Sequence, residues 1–243
     1  MTAYRLHFEP ATLATLDLVA SGELGEVKFV SSSFSYRITD DDNIRLQQER
    51  GGGPVFDIGI YCINAARTFM RDEPIEVAAL LARSKDPRFD EVEETAAVVL
   101  RFPRGRLASF VVSFGAQAIS RLDVVGSKGR VFLEPAYEYS EALKQTVVRE
   151  GKPEVREFAH TDQFGGEIEA FADCILEERA PEASVDEGLA DVRVIEAIFR
   201  SAETGRSVRL KPMRKPSDPA KNPREVKPAI SKPETVEVES PHD

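Results

Sequence analysis

Few features of this chain point to metal, disulfide or membrane chemistry. Two cysteines, Cys62 and Cys174, occur in 243 residues. They are far apart and lack metal-ligand spacing, which argues against a zinc site and a disulfide framework. Both fall at apolar helical positions, where a small buried thiol is the ordinary use of the residue. No apolar run approaches the ~18 residues of a membrane span, and the opening residues do not form a signal peptide. Positive charge is in deficit, with 32 Lys and Arg against 42 Asp and Glu, a net of −10. Nucleic acid and acidic membranes are poor partners for such a chain. The acidity lies in the body, because residues 211–243 hold seven basic and six acidic residues, or +1, leaving −11 for residues 1–210. No G-x-G-x-x-G pattern occurs, and Gly126-Ser127-Lys128-Gly129 leads into a strand rather than opening a helix, so it is no phosphate loop. Asp40-Asp41-Asp42 lacks the spaced oxygen ligands and turn glycine of a calcium loop. No metal site is expected, and a reducing, cytoplasmic setting fits the cysteine usage.

What is present centres on GGGPVFDIGIYCINAARTFM, residues 51–70. The glycines allow close backbone approach, and Pro54 suits the first turn of a helix. Val55, Ile58, Cys62, Ala66 and Phe69 or Met70 are spaced for one buried face. Asp57 and Tyr61, four residues apart, share a face near the helix start. They read either as a proton-handling pair or as a dipole-favoured acid beside a packed aromatic. Gly52 and Gly53 bring the backbone close to a cofactor or only shape the loop. Arg67, further along, reads as a structural ion-pair partner.

Around this stretch the periodicity predicts helices over 9–21, 164–178 and 186–203. In these, Leu13, Leu16 and Val19, then Ile168, Phe171, Ala172 and Ile175, then Leu189, Val192, Ile195 and Phe199, form the apolar faces. Ser184 and Glu187 make a capping box. Strands are predicted over 26–38, 75–83, 94–102, 106–116, 119–125, 131–133, 143–149 and 153–158. A bulge or face change is expected at Ser31-Ser32-Ser33. The strands around Val98–Phe102 and Phe110–Val112 are apolar on both parities, as in strands covered on both faces. Pro103-Arg104-Gly105 turns between two antiparallel strands. Helices clustered with such strands make an α+β fold. Residues 1–210 form the body, and 211–243, rich in proline and charge, read as disordered.

The 51–70 string resembles the signature that opens the second domain of the Gfo/Idh/MocA oxidoreductases, on the glucose–fructose oxidoreductase-like branch. MTAYRLHFEPATLATLDLVASGELGEVKFVSSSFSYR, RLDVVGSKGRVFLEPAYEYS and the stretch from Asp162 to Leu210 are similar to the same family. The resemblance implies a large mixed, mostly antiparallel sheet with helices on one face. It also implies that the family's N-terminal Rossmann domain is absent, together with the Glu-Lys-Pro motif whose lysine completes the active site. On that reading the chain is truncated and inactive alone.

The family's chemistry is hydride transfer between a sugar or polyol and NADP or NAD in the complete enzyme. Tyr61 matches the residue that exchanges the hydroxyl proton, and Asp57 orients that hydroxyl or joins the relay. Arg5 contacts substrate or cofactor, or else makes a surface salt bridge. His160 lies near the substrate pocket or is a plain surface histidine. Gly52 and Gly53 are cofactor-proximal. No dinucleotide is expected to bind tightly to this chain alone. The expected partners are a sugar or polyol, a homodimer or homotetramer through the sheet, and a separately encoded Rossmann domain. The alternative is a non-catalytic dimerisation or sugar-binding module.

Overall fold

The computed structural model describes residues 1–213 and 227–228. The disorder expected of 211–243 falls mostly outside the described residues. Within them, Lys227 pairs with Glu169 at 2.5 Å and Arg193 donates to the Lys211 carbonyl at 2.8 Å.

The first helix, α1 (Pro10–Ala20), starts where Pro10 occupies the first turn and the Glu9 carboxylate accepts the Ala11 and Thr12 N–H groups at 2.7 and 2.6 Å. Those donors have no partner inside the helix, so the buried carboxylate satisfies them. The strands are β1 (Val27–Ser35), β2 (Glu76–Ala82), β3 (Thr95–Arg101), β4 (Leu107–Ser113), β5 (Ile119–Gly126), β6 (Gly129–Leu133), β7 (Leu143–Arg149), β8 (Lys152–Phe158) and the two-residue β9 (Val208–Arg209). They form one sheet in the order β8-β7-β6-β5-β1-β4-β3-β2-β9. Only the β1–β4 pair is parallel, and every other pair is antiparallel. The remaining helices are α2 (Ile60–Met70), α3 (Gln163–Leu176) and α4 (Val185–Thr204). The fold is α+β, and α2 and α4 lie on the inner face of the sheet, on β1 and β2.

Five expectations are corrected. The register shift in β1 lies between Val27 and Phe29, not at the serine run, which alternates regularly. The central strands are covered on one face only: Val98, Leu100, Phe110 and Val112 are buried, whereas Val99, Leu107 and Val111 lie exposed on the other. The apolar stripe of α3 points outward, with Ile168, Phe171 and Ile175 exposed at 69, 42 and 62%. Its inward side carries Gln163, Gly166, Glu167 and Cys174. In α4 the inward face is Val194, Ile195, Ala197 and Ile198, while Leu189 and Val192 face out. The capping box does not form: Ser184 makes no side-chain cap, and Glu187 turns to Arg67, at 2.8 Å.

Candidate functional site

The 51–70 stretch begins as a π-helical turn, Val55–Gly59, before α2. Such widened turns inside helices are frequent at functional sites. Here the turn carries Asp57, and Tyr61 follows in the first turn of α2. With Tyr4, Arg5, Leu6 and Asn64 they line a cavity of about 140 Å³.

Each polar group in the cavity is held from behind. Asp57 Oδ2 accepts from the Tyr36 hydroxyl at 2.7 Å and from Arg45 Nε at 3.0 Å. Burial, then the Asp57 charge, push the Tyr36 hydroxyl above the ordinary phenol range, so it stays a donor. Tyr61 Oη accepts from Arg5 Nε at 3.2 Å. The Arg5 guanidinium also lies 4.8 Å from the Tyr61 ring centroid and 5.3 Å from that of Tyr139. Arg5 is buried, and its other nitrogens donate to Gln163 Oε1 at 2.7 Å and to the Tyr137 carbonyl at 2.6 Å. It is therefore fixed by residues far away in the chain and is no surface salt bridge. Phe34 packs edge-on to Tyr61 at 5.8 Å and stacks on the buried Tyr137.

Of the residues singled out from sequence, the structure brings Asp57, Tyr61 and Arg5 to one cavity. His160 is exposed in the loop between β8 and α3 and does not line it. Gly52 and Gly53 are buried against protein. A Cβ on Gly52 would stand 2.5 Å from the Arg45 carbonyl oxygen, and one on Gly53, at φ +101, 2.7 Å from Glu93 Oε1. Tyr4, Tyr36, Arg45, Asn64 and Gln163 were not foreseen. Asn64 carried a signal, since it stands three residues past Tyr61 on the same helix face. The others converge only through the tertiary fold.

The glycine loop does not fit a dinucleotide phosphate. Its N–H groups are already taken: Gly52 donates to the Gln47 carbonyl at 3.0 Å, Gly53 to the Arg45 carbonyl at 2.8 Å. The Val55 N–H at the helix start donates to the buried Glu93 carboxylate at 3.0 Å. A phosphate cradle needs free N–H groups and the positive end of a helix dipole, and here an acidic side chain occupies that end. Among the described residues no group of three His, Cys, Asp or Glu side chains is placed to hold a metal. No described helix is long and apolar enough to cross a membrane.

Beneath the cavity lies Arg67, fully buried, with Glu73, Glu187 and Asp191 around it at 2.8, 2.8 and 2.5 Å. Asp191 reaches up to the cavity wall, where its Oδ2 accepts from the Tyr4 hydroxyl and from Asn64 Nδ2, the latter at 3.2 Å. Burial pushes the Asp191 carboxyl up from its ordinary range, and Arg67 opposes that shift.

A family model described as the GFO/IDH/MocA C-terminal domain matches residues 12–132. The NADP(+)-dependent D-xylose 1-dehydrogenase of Haloarcula marismortui is 34% identical over 215 residues, 86% of this chain and 60% of the relative. The aldose-aldose oxidoreductase of Caulobacter crescentus, whose structure holds glycerol, superposes with a TM-score of 0.82 at 38% identity, covering 86% of this chain and 63% of that one. A 3-ketoreductase from Actinomadura kijaniata shares the fold, with a TM-score of 0.73 at 24% identity over 81% of this chain and 60% of its own. The chain thus spans about 60% of the length of these three relatives.

Proposed function

The chain belongs to the Gfo/Idh/MocA oxidoreductases, and on that premise we propose that its cavity holds the reacting hydroxyl of a neutral sugar or polyol in an NADP-linked oxidoreductase. The observation that carries the reading is Tyr61 Oη in the cavity wall, held by Arg5 beside the Asp57 carboxylate. Support for the substrate class comes from the relatives, which act on D-xylose or on aldoses by name.

The chain's own residues account for the proton side of the reaction. Arg5 Nε–H points at Tyr61 Oη, so the phenol turns its own proton toward the cavity. There it exchanges that proton with the substrate oxygen as general acid or base. Arg5 keeps a positive charge against the same oxygen when the proton has left. Asp57, with Oδ2 occupied by Tyr36 and Arg45, accepts a substrate hydroxyl through Oδ1 and fixes its direction. The N–H groups of the glycine loop are taken by the protein, so we place the dinucleotide's phosphates on a Rossmann domain, in the same protein or separately encoded. The outward stripe of α3 is the surface suited to that domain. It adjoins the cavity, because Phe164 packs edge-on against Tyr139 at 5.7 Å and Tyr139 lies under Arg5.

Calorimetric titration of the chain with neutral aldoses tests the substrate half of this reading. At least one is expected to bind, and Asp57→Ala is expected to weaken it about tenfold, the loss of a hydrogen bond to a charged group. No heat with any neutral aldose or polyol at millimolar concentration would overturn it.

A further inference from the structure

We propose that Asn64 selects the substrate by accepting a hydrogen bond from a second hydroxyl, next to the one that meets Tyr61. The proposal rests on the polyol reading of the cavity and names a contact within it. Asp57, Tyr61 and Asn64 follow one another along one side of the π turn and α2, and all three line the cavity.

The orientation of the Asn64 amide follows from what lies behind it. An ionised carboxylate only accepts hydrogen bonds, so the amide must present its NH₂ end to Asp191, as Nδ2 does at 3.2 Å. Asp191 is itself immobile. It is fully buried, with Oδ1 taken by Arg67 Nη1 at 2.5 Å and Oδ2 shared with the Tyr4 hydroxyl. Rotating the amide would set its carbonyl oxygen against that carboxylate and leave the NH₂ without this acceptor. The carbonyl end is therefore the end left for the cavity. Among the described residues, no donor bonds Asn64 Oδ1.

The cavity then offers a fixed pattern. Asn64 presents a neutral acceptor, Asp57 a charged acceptor, and Tyr61 the group that exchanges a proton. Each nitrogen of Arg5 is held by the protein, Nε on Tyr61, Nη1 on Gln163 and Nη2 on the Tyr137 carbonyl, so its guanidinium is fixed in place behind Tyr61. Two acceptors flanking one phenol match a ligand with three hydroxyls close together. A sugar acid would bring its carboxylate against Asp57, and a simple alcohol would leave Asn64 Oδ1 unpaired in a confined site, which costs free energy.

The test is the affinity of the chain for D-xylose and for each of its monodeoxy analogues, measured by ligand-observed NMR on wild type and two variants. Asn64→Leu has nearly the same shape without an acceptor, and Asn64→Ala, which also lacks one, is a second variant in case leucine disturbs the Arg67 cluster. Far-UV circular dichroism checks that both fold. In wild type, one monodeoxy sugar is expected to bind about 3- to 10-fold more weakly than xylose, the range of one hydrogen bond. Both variants should weaken xylose by that same factor and leave that deoxy sugar unchanged, so that the discrimination vanishes. Xylose affinity unchanged in both variants, or an equal loss for every analogue, would overturn the role of Asn64 while the polyol reading stands. No binding of any of these sugars to wild type would overturn this inference, whereas the polyol reading itself falls only if no neutral aldose or polyol binds.

Discussion

Glu93 shows how a single buried carboxylate shapes the site without touching substrate. It accepts the Val55 N–H, fills the space beside Gly53, and thereby sets where the π turn begins. Burial raises its carboxyl above the ordinary range, against the opposing pull of that hydrogen bond. A raised carboxyl keeps its proton in the folded chain at pH values where the unfolded chain has released it. Folded-state stability from this group is therefore present at low pH and lost as pH rises through the folded value. Glu93→Gln keeps an acceptor for Val55 and cannot titrate. Its thermal midpoint should gain on wild type as pH rises from 4 toward 7 (on the order of the shifted window), and differential scanning calorimetry across pH would show it. A gap that does not change with pH would contradict this account of Glu93. The same cluster explains what was not legible in the sequence. A small residue at positions 52 and 53 serves equally for a ligand or for the Arg45 carbonyl and the Glu93 carboxylate, and local composition does not distinguish the two.

At the scale of elements, period-two and period-3.6 patterns placed the four long helices and strands β1 to β8, because each is long enough to repeat an apolar face; the two-residue β9 and the short 3-10 turns carry no such repeat and went unread. The patterns did not say which faces have a cover within this chain. The stripe Phe164, Ile168, Phe171, Ile175 is regular helical spacing, and it lies outward because the inner side of α3 is spent on Gln163, which holds Arg5, and on Glu167. Arg5 itself looked like a surface cation, since its partners at Tyr137 and Gln163 stand 132 and 158 residues away. If α3 serves a docked domain and not the core, Ile168→Glu and Ile175→Glu should change the urea midpoint little, with stability shifts within about 0.5 kcal/mol, as at exposed positions. The same pair should abolish association with a dinucleotide-binding domain, read by analytical ultracentrifugation. A large loss of stability would place those side chains in the core.

Over the whole molecule, the sheet has one face under helices and one face carrying Phe29, Val99, Leu107 and Val111 in the open. An exposed apolar sheet of this kind marks an interaction surface, and we propose that a second copy of the chain covers it. Sedimentation at micromolar concentration should then show a dimer or tetramer, and Val111→Lys a monomer. A wild-type monomer would remove the proposal. The fold class was legible because an α+β pattern leaves few ways to cover nine strands. The lining of the candidate cavity was legible at Asp57 and Tyr61, which sit in one motif; its supports at Tyr36, Arg45 and Gln163 were not, because only the folded chain brings them together. The central claim is that Tyr61 carries the proton in an NADP-linked oxidation of a sugar. The most direct measurement is NADPH formation, followed by its absorbance, when the chain is joined to the dinucleotide-binding domain of a family member and given neutral aldoses. Turnover with at least one aldose is expected, falling about 10²- to 10⁴-fold in Tyr61→Phe. No turnover with any aldose, or equal turnover in the phenylalanine variant, would contradict it.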